Sequence, residues 1–237
     1  MRPDRSVKPL TKGDLSEIVI GAIEQEGNGV DLNFIDVSGI EDLSFFFFGL
    51  NFTGDISRWD VSSVKDMSFL FGRCPFDGDI SSWDTSRVVN LAGAFKDSQF
   101  NGNLSKWNVS NVTNMSQLFR RSKFNSDISK WDIARVEDMT QMFAESVFNQ
   151  NISHWDISSV WFMGEMFCES VFEGSLLEWN PRDGVQEYNM FKSSQWAKRL
   201  GLENPKLSEV QAMQRKAFLE SRLAPEEVFY NPQKKRL

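Results

Sequence analysis

Residues Phe100–Lys123 read FNGNLSKWNVSNVTNMSQLFRRSK, and the same pattern returns on both sides of them without a gap. Trp59, Trp83, Trp107, Trp131, Trp155 and Trp179 stand 24 residues apart. Phe52, Phe76, Phe100, Phe124, Phe148 and Phe172 form a second column at the same period, and Phe47, Phe71, Phe95, Phe119, Phe143, Phe167 and Phe191 a third. Two aliphatic columns keep the register, from Ile40 to Val160 and from Leu43 to Met163. A fixed period between about 20 and 50 residues is the mark of a repeat array.

The chemistry inside one period predicts its local structure. In Lys106–Ser110 apolar Trp107 and Val109 alternate with polar neighbours, which suits a short strand. Val112, Met115, Leu118 and Phe119 share the spacing of one face of a short helix. Asn108 or Ser110 is placed to cap that helix, and Phe-Asn-Gly to make the turn. One such coil cannot bury its apolar face alone. Stacking at the inter-strand spacing of about 4.8 Å would lay identical residues over one another. The Trp and Phe columns then become internal ladders.

Composition agrees with a packed core and removes other classes. The 237 residues include 21 Phe and 8 Trp, against 2 Tyr, 2 Cys and 1 His. With 41% hydrophobic residues the chain is not a disordered one. Two cysteines cannot build a disulfide scaffold or a four-cysteine zinc site, and one histidine leaves little for triad or metal chemistry. Cys74 and Cys168 lie about four coils apart, beyond bridging distance, and are expected as free thiols. No catalytic, cofactor-binding or metal-binding residue is expected.

The period written as Phe52–Phe71, FTGDISRWDVSSVKDMSFLF, resembles the BspA-like leucine-rich-repeat family. More narrowly, it is similar to the mycoplasma-lipoprotein-type tandem repeat of bacterial surface proteins. The resemblance covers about residues 28–191. It implies an α/β repeat: a right-handed, leucine-rich-repeat-like solenoid of six to seven coils, each a short strand plus a short helix, used for protein–protein contact and often for adhesion. It brings no catalytic residues.

The ends depart from the repeat. Residues 14–26 read as an amphipathic helix, so 1–27 is expected as an N-terminal capping helix and 28–191 as the solenoid. Residues 180–196 read as a decayed last coil. Residues 207–223 read as a helix with Ser208 at its start and Pro225 at its end, within a helical cap and basic tail over 192–237. Solenoid ends need such caps to stay soluble. The net charge of −7 divides unevenly: −1 over residues 1–27, −10 over 28–180 and +4 over 181–237, the last including Lys234, Lys235 and Arg236. The acidic solenoid argues against direct nucleic-acid binding.

Regular columns suggest structure; their breaks suggest function. Asp55, Asp79, Asn103, Asp127 and Asn151 would stack, as would Asp60, Asp84, Asn108, Asp132 and Asp156. Stacked carboxylates could collect calcium, whereas turn and cap hydrogen bonding makes Asp and Asn interchangeable, as the Asn in both columns suits. His154 falls in a variable polar column. Trp161 stands where other coils have Lys65, Val89, Thr113 and Glu137, and Phe162 where they have Asp42, Asp66, Asn90, Asn114 and Asp138. Phe45 and Phe69 occupy a column that continues as Gly93, Gln117, Gln141 and Glu165. Each pair either meets a partner or packs beneath an end segment.

These residues read as a non-enzymatic interaction module that presents an acidic surface to a protein partner. One alternative is an acidic mimic of nucleic acid that inhibits a nucleic-acid-binding defence protein. Another is a surface adhesin. No secretion signal or membrane-spanning run is legible, so the cytoplasm is the expected location, with the cell surface as the alternative if a signal was removed.

Overall fold

The computed structural model describes residues 7–223. Through most of its length, each residue of one coil lies beside the residue 24 positions on. Parallel single-residue bridges join Asp42 to Asp66, Asp66 to Asn90, Asn90 to Asn114, Asn114 to Asp138, Asp138 to Phe162 and Phe162 to Gln186. Both Phe columns and the Trp column are buried throughout. Phe71, Phe95, Phe119 and Phe143 stack ring on ring at 5.6–5.9 Å. Within each coil the two phenylalanines lie closer still, as at Phe119–Phe124, 4.0 Å apart. Burying each ring is worth about 1.5–3 kcal/mol, so the ladders carry much of the fold's stability.

Each indole does two jobs. Its ring packs beside the Phe ladder, and its Nε1–H donates to a carbonyl one coil back. The pairs include Trp59 to Leu32 at 3.0 Å, Trp107 to Ile80 at 3.0 Å and Trp131 to Leu104 at 3.0 Å. The same carbonyls also accept a backbone N–H from three residues on, as Leu104 does from Trp107, so the indole adds a second, inter-coil bond that phenylalanine could not make.

The expected short helix takes another form. Over Met115–Ser122 the N–H groups alternate between two destinations. Met115, Gln117, Phe119 and Arg121 donate to Asp138, Thr140, Met142 and Ala144 in the next coil. Leu118, Arg120 and Ser122 donate three residues back. Gln117 and Arg121 sit at φ 56° and 57°, the left-handed third position of type II turns. The segment is thus a run of tight turns rather than a helix. Turns and helix bring residues three or four apart to the same side, so the apolar spacing could not separate them. The expected strand at Lys106–Ser110 is not one: Lys106 and Ser110 lie in turns, Trp107–Val109 pair with no neighbouring strand, and the parallel bridge falls instead at Asn114.

Helices close the ends. α1 spans Lys12–Glu26, starts on a Thr11–Asp14 capping box, and buries Leu15 and Val19 against the first coil. Lys12 Nζ donates to the Ser44 carbonyl and to Asp42, filling the place of a preceding coil's N–H. A short α2, Gln195–Leu200, was not foreseen; Ser194, which continues the 24-residue column of Ser98, Ser122, Ser146 and Ser170, becomes its N-cap by accepting from the Ala197 N–H. α3 spans Leu207–Leu223, the residues of the expected helix. Its start is held not by Ser208 but by Glu209, whose carboxylate accepts from the Lys206 N–H at 2.7 Å. Pro225 and the basic Lys234–Arg236 tail lie outside the described residues.

Candidate interaction surface

The acidic columns are occupied with local work. Asp55, Asp79 and Asp127 accept the N–H of Ser57, Ser81 and Ser129 at 2.9 Å, and Asp60, Asp84 and Asp156 accept those of Ser62, Ser86 and Ser158 at 3.0 Å. Hydrogen bonds from the serine two residues on hold the carboxyls of Asp36, Asp55, Asp79, Asp84, Asp127 and Asp156 below their ordinary range. Asn fills the same turns at Asn103 and Asn108. Among the described residues no three His, Cys, Asp or Glu side chains converge on one point.

A second ladder runs between coils. Asp77, Asn101, Asn125 and Asn149 each accept, through the side chain, the N–H of the residue 24 positions on, at 2.7–2.9 Å. Fixing side chains to backbone at every level makes these faces rigid, with little left to order on binding.

Trp161 and Phe162 are each 42% exposed. The Trp161 ring carries the Arg182 guanidinium 3.1 Å from its centroid, so its cover comes from the last coil. α3 is tied instead to Gly174, Leu176 and Trp179. Phe162 holds the bridge ladder with its backbone while its side chain replaces the turn-forming Asp or Asn. Two register positions beyond Phe162, in the last coil, lies Tyr188, 56% exposed. Its ring rests on Gly164, where a Cβ would come within 2.4 Å. Sequence reasoning passed over Tyr188. The signal was Gly164, a glycine in a column of Ser44, Ser68, Ala92, Ser116 and Thr140.

Phe45 and Phe69 lie at the other end of the stack. Their rings stack at 4.7 Å and 13°, and Phe48 meets both edge-on. Phe69 in turn lies on Gly93, where a Cβ would come within 2.4 Å of the ring. Both adopt left-handed φ, 56° and 54°, which bulky residues rarely do. Phe45 remains 54% exposed. α1 sits beside this cluster through Lys12 on Asp42 and Ser44.

The remaining candidates have local partners. His154 Nδ1 lies 2.7 Å from Glu178 Oε2, both exposed. Cys74 is free and buried, and its thiol donates to the Phe52 carbonyl at 3.4 Å. Burial pushes that thiol up. Burial, with Glu169 and Glu165 nearby, does the same to the free, half-buried Cys168.

Stacked 24-residue coils with aromatic and Asx ladders define a tandem-repeat protein of the mycoplasma type. The chain belongs to the family described as Mycoplasma protein of unknown function, DUF285, which matches residues 14–122 and 90–201. No curated protein and no solved structure matches it. Among the described residues no helix is long and apolar enough to cross a membrane.

Proposed function

We propose that the chain is a non-enzymatic protein–protein interaction module of the BspA-like type. In this reading the stack is a right-handed, leucine-rich-repeat-like solenoid with helical caps, working in the cytoplasm. A rigid, largely acidic surface meets a protein partner through Trp161, Phe162 and Tyr188. The observation that carries the reading is the placement of these three side chains. They stand exposed where the polar ladder stops, and the backbone of Trp161 and Phe162 is locked to the coils on both sides. Rigid aromatic anchors on a pre-formed surface are the usual source of binding energy at such contacts.

The test is capture of partners with the wild-type chain and with Trp161→Lys combined with Phe162→Asp. A protein retained by the wild type, bound again after purification of both components, and lost with the double variant at unchanged melting temperature supports the reading. A large fall in melting temperature would show that the two rings serve packing. A purified partner that binds both forms equally would remove this face from the contact.

A further inference from the structure

The turn edge of the stack changes character along its length. In the first two coils it carries Phe45, Phe48 and Phe69. Arg73 ends the second coil's run, the next levels carry Lys96, Asp97, Arg120 and Arg121, and only then come Glu145, Glu165 and Glu169. Four cations thus follow three aromatic rings on a chain whose net charge is −7. Asp97 is shared, with Arg73 at 3.5 Å and Arg121 at 3.1 Å. Glu145 takes Arg120 at 2.9 Å and Arg121 at 3.5 Å, which leaves the stretch positive. Lys96 stands 5.8 Å over the Phe69 ring and Arg73 stands 5.7 Å over Phe48. Burial, and then Arg120 with Arg73 and Arg121, lower the Lys96 ammonium pKa despite the attraction of Asp97, which shows how closely the cations crowd.

We propose that this edge, from Phe45 to Arg121, is a docking site for an acidic, extended segment of a partner protein. The inference rests on the interaction-module reading and adds a second surface, of opposite charge, at the other end from Trp161. Charge complementarity gives the sign of the occupant. The rings give its class. Phe69 has Phe45 stacked on it and Gly93 against it, so that ring offers its edge rather than an open face. Edges are the positive part of an aromatic quadrupole and suit carboxylates and apolar side chains. Bases of a single-stranded nucleic acid need free faces on which to stack. A long polyanion would also run onto Glu145, Glu165 and Glu169, whereas a short acidic segment ends before them. The backbone agrees: two phenylalanines hold left-handed φ where later coils use Gly93, Gln117, Gln141, Glu165 and Asn189.

The probe is a short fluorescein-labelled peptide of glutamates around a central Leu-Phe pair, titrated with the full chain. The same peptide with lysine for glutamate, and an oligothymidylate of equal charge, serve as comparisons. The acidic peptide binds, and its affinity falls as salt is raised. Arg73→Glu with Arg121→Glu weakens it about tenfold or more. Phe45→Gln with Phe69→Gln, a residue the same backbone position accepts at Gln117 and Gln141, weakens it similarly and carries the test if the charge reversal disturbs folding. Lys106→Glu with Lys130→Glu, exposed on another face, leaves it unchanged, as does Trp161→Lys with Phe162→Asp. That last variant separates the two surfaces: peptide binding that survives it while the captured partner is lost supports both, and lost peptide binding overturns this one alone. The proposal also fails if the wild type does not bind the peptide, if the lysine form or oligothymidylate binds as tightly, or if the edge variants bind like the wild type.

Discussion

Gln211 Nε2 donates to the carbonyl oxygen of Leu176 at 2.8 Å, at the place where an indole donates in each earlier coil. Trp179 reaches Ile152 in the same way at 3.0 Å, but the position that would serve Leu176 is Glu203. α3 therefore closes the stack by imitation: an amide from a helix replaces the missing ring nitrogen. Gln211 also reaches the Trp179 carbonyl, and Gln214 both donates to Gly174 and accepts from the Leu176 N–H. Changing Gln211 to Leu should cost about 1–3 kcal/mol, because the Trp179 carbonyl loses the Gln211 donor and the Leu176 carbonyl keeps only the Trp179 N–H. Denaturant unfolding reads the loss, and faster proteolysis within α3 should accompany it.

Gly93 is under a double constraint, a φ of 61° and the Phe69 ring against its Cα. Gly93→Ala should cost about 2–4 kcal/mol, the sum of left-handed strain and overpacking. In a Phe69→Ala background the ring is gone, and the cost should fall to about 1–2 kcal/mol from strain alone. A double-mutant cycle measures the coupling. Additive losses would show that the ring does not rest on Gly93.

The thiols should separate by burial. In the folded chain a maleimide should label Cys168 and spare Cys74, with both labelled in denaturant, as peptide mass spectrometry would show. Because burial and the neighbouring glutamates raise the Cys168 thiol, labelling should accelerate about tenfold per pH unit on approach to its pKa. Cys74→Ser should be nearly neutral, since Ser98, Ser122, Ser146 and Ser170 fill the same buried place in later coils.

Acid should unfold the stack through its turns. Six aspartates have folded pKa values lowered by the serine two residues on. A lowered folded pKa contributes stability that is present above the unfolded value, about 3.9, and is lost as pH falls through the folded value. Melting temperature should therefore be flat from neutral pH to about 5 and fall below about 4. Asp79→Asn should keep the turn and remove one share of that fall, as Asn103 does in its own coil.

Much of this surface was legible because a period leaves few choices. Trp161 and Phe162 stood out as aromatics in polar columns, and Phe45 and Phe69 as aromatics in a column of Gly, Gln and Glu. Tyr188 escaped because the repeat decays before it, so its column had no clear expectation there. The cations of the turn edge escaped for another reason: Arg73, Lys96, Arg120 and Arg121 fall in two different columns, and only the alternation of tight turns brings them onto one edge.

The sequence by itself determined which residues lie inside. A period of 24 places each residue against its own counterparts, and only apolar columns can accept that neighbour without losing water to no purpose. The tertiary structure decided how the backbone between those columns runs. An N–H at Gln117 could bond within its own turn of helix or across to Thr140, and a pattern of side chains does not distinguish the two. Once the next coil is in place, its carbonyls capture every second N–H. Gln117 and Arg121, among the residues so captured, turn left-handed, and the expected helix becomes a chain of turns. The same contact with a neighbour, present inside the stack and absent at its ends, explains why Gln211 and Lys12 must complete by side chain what the repeat completes by backbone and indole.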